Sequence, residues 1–429
     1  MKILSFLGLG SYRVTKYRPP FQSNIEYCET KYYQEALAEF YKPDSCYIFL
    51  TQKVETVVPI KTIPSKEDPE KFIKIQEDKS NWEQLQELFE LKFPEINLIP
   101  VRNIPERNTP EDIWTIFKKV NECLEEDDNV IFDITHGFRS VPIVALLAMS
   151  YFRVARNIKI QGLLYGAFDA QENGIAPTFN LLPVVGLFDW LTATDQFLKT
   201  GKGEDLAKLL ENADGHTEAL GDRIREISQG LELLRPMDVM KASSELPEYI
   251  ERAKPDLASV VPPFTMLLDR IANEYGQFAL AEPQDYQVNG KEALQKQLFE
   301  IEWYARKGLE VQAISLAREW LPSLLCYHFK LDPMDKINRD EMEILCCGGK
   351  IGDRESIYRD DYKNIEKSKR KKINKLWNDP PCTLAKLRND VLHSGFRKNP
   401  KSVTEIKEVL EKIITELNEV AVVWEILDS

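Results

Sequence analysis

The sequence predicts an α/β Rossmann-like N-terminal domain followed by an all-α connector and an all-α C-terminal domain. Three observations lead there. Short runs that are apolar throughout alternate with amphipathic helical segments up to about residue 185, the pattern of parallel strands covered on both faces. From about Phe188 only helical periodicity remains. The chain of 429 residues also exceeds one ordinary core, so two or three domains are expected.

Strands are expected at Lys2–Leu7, Cys46–Thr51, Asn97–Val101, Val130–Thr135 and Lys159–Tyr165, with Thr178–Leu182 as an edge strand. Between them, Tyr27–Tyr41 carries Tyr33, Leu37, Phe40 and Tyr41 on one side of a helix. Thr109–Glu126 opens with Thr109 as N-cap, Pro110 at the first helical position and Asp112 at capping-box spacing. Its Ile113, Ile116, Phe117, Val120 and Leu124 recur at helical spacing. Arg139–Val154 is apolar enough to lie against a sheet. In the helical half, Leu220, Ile224, Ile227, Leu231 and Leu234 form one stripe, and Ile406, Val409, Ile413, Leu417 and Val420 another. The expected layout is 1–185, a connector over 186–300, and a C-terminal domain over 301–429.

No run approaches the roughly 18 apolar residues that span a bilayer. The start, MKILSFLGLGSY, lacks a small-residue cleavage site and reads as a buried first strand rather than a signal peptide. Seven scattered cysteines, an odd number, point to reduced thiols and a cytoplasmic protein. With no C-x-x-C pair and only four His, no zinc site or other metal is expected. The net charge of −13 argues against indiscriminate coating of nucleic acid, though not against a local basic surface.

In doubly wound sheets ligands bind beyond the carboxyl ends of the strands, which directs attention to the loops Gly8–Tyr12, Thr51–Thr56, Arg102–Asn108 and Thr135–Ser140. Gly8-Leu9-Gly10-Ser11 allows a tight turn that brings backbone N–H groups near a phosphate. A dinucleotide fingerprint needs a third glycine where Arg13 stands, and an acid where the second strand ends in Thr51 and Gln52, so NAD is disfavoured. A strand-exit turn without a ligand stays open. In Asp133–Ser140, the donors Thr135, His136, Arg139 and Ser140 surround Gly137 and Phe138 at a helix start, which suits an anion. Alternatively Ser140 caps the helix and Arg139 pairs with Asp133. The loop lacks a nucleophile elbow or a second acid, so binding rather than fast chemistry is expected.

Near the C-terminus, Arg388-Asn389-Asp390-Val391-Leu392-His393 sets an Arg five residues before a His. On a helix these point about 140° apart, so they meet only their counterparts across a two-fold axis. An imidazole that moves protons and a guanidinium that stabilises phosphorane charge suit metal-free RNA cleavage. Asn389 is placed to position the phosphate or the His. A His that merely favours a helix dipole is the alternative. Lys367, Lys369, Arg370, Lys371, Lys372 and Lys375 precede Trp377, a footprint of single-stranded nucleic acid unless the run is a solvated face.

Together FLGLGSY, DITHGFRS, NLLPVVGLFDWL, GLEVQAISLAREWL (Gly308–Leu321) and RNDVLHSG resemble the CARF–HEPN family of CRISPR-associated ribonucleases, the Csx/Csm-type ancillary effectors of type III systems. The HEPN signature is an Arg, four to six residues, then a His. The resemblance implies a homodimeric CARF sensor that is activated allosterically by a cyclic oligoadenylate from a type III CRISPR complex, most often the tetra-adenylate. It also implies a HEPN endoribonuclease that cuts single-stranded RNA in antiviral defence, without a metal or other cofactor, leaving a 2′,3′-cyclic phosphate. Some relatives slowly cleave their activator; no residue here is assigned to that. The ligand residues are then Gly8, Leu9, Gly10, Ser11, Thr51, Thr135, His136, Gly137, Phe138, Arg139 and Ser140, and the catalytic ones Arg388, His393 and Asn389. Two other readings remain: a cyclic-nucleotide-sensing regulatory or DNA-binding protein without nuclease activity, and a metal-dependent deoxyribonuclease with Asp360-Asp361 as its loose candidate.

Overall fold

A computed structural model describes all residues except 65–71, 108, 137–140, 214, 379–382, 397 and 429. It divides into two units, Met1–Phe188 and Asp189–Ser429.

The strands of the first unit are β1 Lys2–Phe6, β2 Thr15–Arg18, β3 Cys28–Thr30, β4 Ser45–Phe49, β5 Ile60–Pro64, β6 Phe72–Gln76, β7 Asn97–Val101, β8 Asn129–Asp133, β9 Lys159–Gly166 and β10 Ile175–Asn180. Eight of them form one sheet in the order β3-β2-β10-β9-β8-β1-β4-β7, and β5 pairs with β6 in a separate hairpin. The stretch β7-β4-β1-β8-β9 is parallel throughout. In chain order these five read 3-2-1-4-5, the Rossmann arrangement, and the winding reverses between β1 and β8.

Alternate side chains of β1 feed two cores because successive residues of a strand point to opposite faces. Ile3 packs with Leu37, Ile48, Leu85 and Phe89 under the helices Tyr33–Tyr41 and Asn81–Lys92. Leu4 packs with Phe49, Ile116, Phe132 and Phe152 under Pro110–Glu122 and Val141–Arg156. The Thr109–Asp112 capping box forms as the sequence predicts, and Ser80–Glu83 makes another. Two expectations are corrected. The strand expected at the edge, Thr178–Leu182, is Ile175–Asn180 and lies inside the sheet between β9 and β2, because the short polar strands β2 and β3 extend the sheet beyond it. The helix expected from Tyr27 starts at Tyr33, because Cys28–Thr30 is a strand and the Thr30 hydroxyl accepts the Tyr32 N–H (2.9 Å) to turn the chain first.

The second unit is helical apart from the hairpin of β11 Lys350–Ile351 and β12 Arg354–Glu355. Thr217–Glu232 lies on Pro236–Val260, and Glu310–Phe329 packs with Tyr286–Arg306, Lys336–Cys346, Leu384–Leu392 and Val403–Val423. Both predicted apolar stripes enter one core, including Leu220, Ile224, Ile227, Val409, Ile413 and Leu417. The Tyr286–Arg306 helix runs through residue 300, where the sequence placed a boundary, and side chains from both sides of it share that core. Among the described residues no helix is long and apolar enough to cross a membrane.

Candidate functional site

The loops after β1, β8 and β9 converge at the switch point of the sheet. They open a cavity of about 310 Å³ lined by residues that include Ser11, Tyr12, Lys31, Thr135, His136 and Asp169. Three of the residues expected there, Ser11, Thr135 and His136, line it. Gly137, Phe138, Arg139 and Ser140 lie outside the described residues, as therefore does the alternative in which Arg139 pairs with Asp133.

Asp133, the last residue of β8, anchors the floor. It is fully buried and accepts hydrogen bonds from Ser5 Oγ (2.5 Å) and the Thr135 N–H (2.8 Å). Gln34 Nε2 in turn donates to Ser5 Oγ (2.9 Å) and Phe6 O (3.0 Å). Burial outweighs these donors and lifts the Asp133 carboxyl to about 6. Thr135 Oγ1 accepts the Gly166 N–H (2.8 Å), tying β8 to β9 at the rim.

The glycine turn is built differently from the phosphate cradle its sequence suggests. The Gly8 N–H donates to the Tyr12 hydroxyl (2.6 Å), and a Cβ on Gly8 would come within 2.9 Å of that oxygen. Glycine is needed there for Tyr12. The carbonyls of Gly8 and Gly10 both accept from Asn81 Nδ2 (2.9 Å each), and Asn81 Oδ1 accepts from Tyr32 (3.1 Å). Leu9 is exposed. Thr51 is buried and caps the Gln52–Thr56 helix through Val54 N–H (3.4 Å), so it serves that helix start rather than the cavity lining. Sequence reasoning missed Tyr12, Lys31 and Asn81. Lys31 donates to Glu77 Oε2 (2.6 Å) and Gln84 Oε1 (2.7 Å), and Ser11 Oγ to Glu77 Oε1 (3.2 Å).

His136 tilts against Tyr12 with ring centroids 4.5 Å apart. Its Nε2 is buried without a hydrogen-bond partner, and burial pushes the imidazole down to about 4. His136 is therefore neutral at pH 7 and offers one donor and one acceptor, not a positive charge. His136→Gln is expected to leave the pH profile of ligand affinity unchanged from pH 5.5 to 8, as titration calorimetry across that range would test. A wild-type inflection near 6.5 that the variant lacks would show an imidazolium at work.

Asn81→Ala leaves two partly exposed carbonyls and a buried tyrosine hydroxyl to find other partners, a cost of about 1–2 kcal/mol. A fall in melting temperature together with weaker ligand binding is expected in calorimetry, and an unaltered pair of values would remove Asn81 from the site.

In the second unit, Leu384–Leu392 carries the Arg–His motif and His393 is its C-cap, exposed, with its N–H on Asn389 O (3.0 Å). Arg388 is half-buried, and its Nη1 donates to Asn389 Oδ1 (3.2 Å). The turn that follows is held by Ser394 and Gly395 at φ +53° and +71°, and by Asp390 Oδ2, which accepts the Lys401 N–H (3.1 Å). Asp390 is only 4% exposed, so it shapes the His393 turn from inside. The basic run differs from expectation. Lys369, Lys372 and Lys375 pair with Glu425, Glu419 and Glu416 near the end of the chain, and Trp377 is in the core under the Arg318 guanidinium at 5.2 Å. Three of the six cations on this helix are thus matched by carboxylates. Asp360 pairs with Lys363 (2.8 Å), and among the described residues no group of three or more His, Cys, Asp or Glu could hold a metal ion.

Residues 2–169 match the CARF domain of the CRISPR system endoribonuclease Csx1. Behind this CARF-like unit, residues 186–283 match the second domain of the CRISPR-associated protein MJ1674. The MJ1674 protein of Methanocaldococcus jannaschii is 26% identical over 176 residues, which cover 39% of this chain and 27% of that protein. Enterococcus italicus Csm6, solved bound to cyclic hexa-2′-fluoro-hexa-dAMP, aligns over 100% of this chain and 95% of its own at 11% identity and a TM-score of 0.44.

Proposed function

We propose that the chain is a ligand-activated endoribonuclease of CRISPR defence. The N-terminal unit binds a cyclic oligoadenylate, foremost the tetra-adenylate, produced by a type III CRISPR complex. The helical unit cuts single-stranded RNA as a homodimeric HEPN enzyme. The observation that carries this reading is the cavity at the switch point of a unit that matches the Csx1 CARF domain. Its further ligand contacts are assigned to Gly137, Phe138, Arg139 and Ser140 and to the turn Gly8–Ser11, of which Ser11 lines the cavity.

In the helical unit, His393 of one chain and Arg388 of the other face the same phosphate. The imidazole moves the proton of the attacking 2′-hydroxyl or of the departing 5′-oxygen, and the guanidinium neutralises charge on the phosphorane. Asn389 holds the guanidinium through the contact described. The 2′-oxygen bonds to phosphorus as the 5′-oxygen leaves, giving a 2′,3′-cyclic phosphate without a metal. An apolar face in the first unit supports the dimer: Trp114, Leu147, Tyr151 and Val154 are 57–89% exposed, and Phe117 joins Trp114 to Tyr151 by ring contacts.

The deciding assay incubates single-stranded RNA and the protein in EDTA with cyclic tri-, tetra- or hexa-adenylate. Cleavage stimulated by one ring is expected. The alternative is a cyclic-nucleotide-sensing regulatory or DNA-binding protein without nuclease activity. Ligand-dependent binding of duplex DNA with no RNA turnover would select it.

A further inference from the structure

Arg388 has a second setting besides its bond to Asn389. With Leu392 it lines a cavity of about 640 Å³ inside the helical unit, within the roughly 300–1,000 Å³ range of small-ligand sites. Both residues belong to the helix that ends at His393. Another part of the wall is Leu234–Asp238, the turn that starts the 25-residue helix Pro236–Val260, so the positive end of a long helix dipole borders the space. A second guanidinium, Arg339, is fixed in the lining: Nη1 donates to Ser323 Oγ (3.0 Å), and Nη2 reaches Glu319 O (3.2 Å) and its carboxylate.

Met237, Leu316 and Met334 add apolar surface to the lining, which also holds the carboxylates Asp238 and Glu319, the latter paired with Arg339. Two amides, Gln284 and Gln297, line it as well. Gln297 lines the cavity, is only 3% exposed, and is fixed by donating from Nε2 to the Tyr286 hydroxyl (3.0 Å). Apolar surface for a ring, a held amide for its edge and guanidinium groups for phosphate are the requirements of one nucleotide.

We infer that this cavity takes one nucleotide of the RNA strand, next to the phosphate that Arg388 serves, and thereby sets which bases flank the cut. The inference rests on the ribonuclease reading for its link to cleavage. The connector is then part of the substrate site, since Leu234–Asp238 and Gln297 come from it.

Ser315 is half-buried in the lining and Met334 is 51% exposed, so both accept a bulky ring at the mouth without rebuilding the core. Ser315→Trp and Met334→Trp are expected to raise KM for activated RNA cleavage at least tenfold, with kcat at saturation within about threefold and the melting temperature unchanged. They should also flatten the base preference around the cut. Two folded variants with wild-type KM and wild-type cut sites would overturn the inference while leaving the ribonuclease intact. If wild type cuts no RNA with any ring, the ribonuclease reading itself fails, and titration with AMP, GMP, CMP and UMP decides the cavity. Binding of one of them that Ser315→Trp abolishes upholds the nucleotide site, and no binding at millimolar concentration overturns it.

Discussion

His393→Ala is expected to lower activated RNA cleavage by about 10²–10⁴-fold, the usual contribution of a general acid–base group. The fold should survive, because His393 is exposed and caps its helix through its backbone N–H, which alanine keeps; the lost dipole contact is worth about 1 kcal/mol or less. The informative measurement mixes chains. If His393 of one chain serves the same phosphate as Arg388 of the other, mixing His393→Ala and Arg388→Ala homodimers in equal amounts turns half of the dimers into heterodimers with one damaged and one complete site, and activity should return toward a quarter of wild type. Wild-type rates in His393→Ala alone would remove the motif from the chemistry, and absent recovery on proven subunit exchange would remove the sharing.

The second large effect is thermodynamic. Glu300 is fully buried in the core of the helical unit, and burial pushes its carboxyl up to about 8. The Tyr304 hydroxyl donates to Leu231 O at 2.7 Å and also lies 3.1 Å from Glu300 Oε1. One hydroxyl hydrogen cannot serve both, and a protonated Glu300 supplies the second. The unfolded chain ionises this group near 4.5, and the folded chain only near 8. Below pH 4.5 both states hold the proton and no penalty exists. Between 4.5 and 8 unfolding releases a proton, so stability falls by up to about 1.4 kcal/mol per pH unit and levels off above 8. Glu300→Gln keeps a donor toward Tyr304 and removes the ionisation. At pH 8 the variant should be more stable by a few kcal/mol, with near-equal melting temperatures at pH 4.5. Parallel melting curves for the two proteins across this range would refute the buried acid.

The parallel sheet was legible because β1, β4, β8 and β9 are apolar on both faces, a pattern that needs no knowledge of their neighbours. β2 (TKYR) and β3 (CET) were not. Each is too short and polar to show a period; β10 offers an edge to β2, and β2 in turn to β3. The β5–β6 hairpin also escaped; its strands pair with each other, apart from the eight-stranded sheet. Within the site, local signals found Ser11, Thr135 and His136, whose loops follow strands directly. Asn81 and Tyr12 escaped: Asn81 reads as the first residue after a capped helix start, and its hold on Gly8 and Gly10 spans more than seventy positions. Trp377 and its lysines misled because their partners, Arg318 and the glutamates of Val403–Val423 and Glu425, are distant in sequence. Charge density is visible in a string of letters, and charge compensation is not.

That compensation has a consequence for how an enzyme of this kind would behave among other polymers. The three lysines already matched to carboxylates release fewer condensed ions when a polyanion approaches, so they add less salt-sensitive, sequence-blind attraction than a count of charges suggests. With a chain charge of −13, bulk DNA and ribosomal RNA are repelled at long range and compete weakly. Short-range fit then weighs more in discrimination among polyanions, and the molecule is less readily titrated away by bulk nucleic acid.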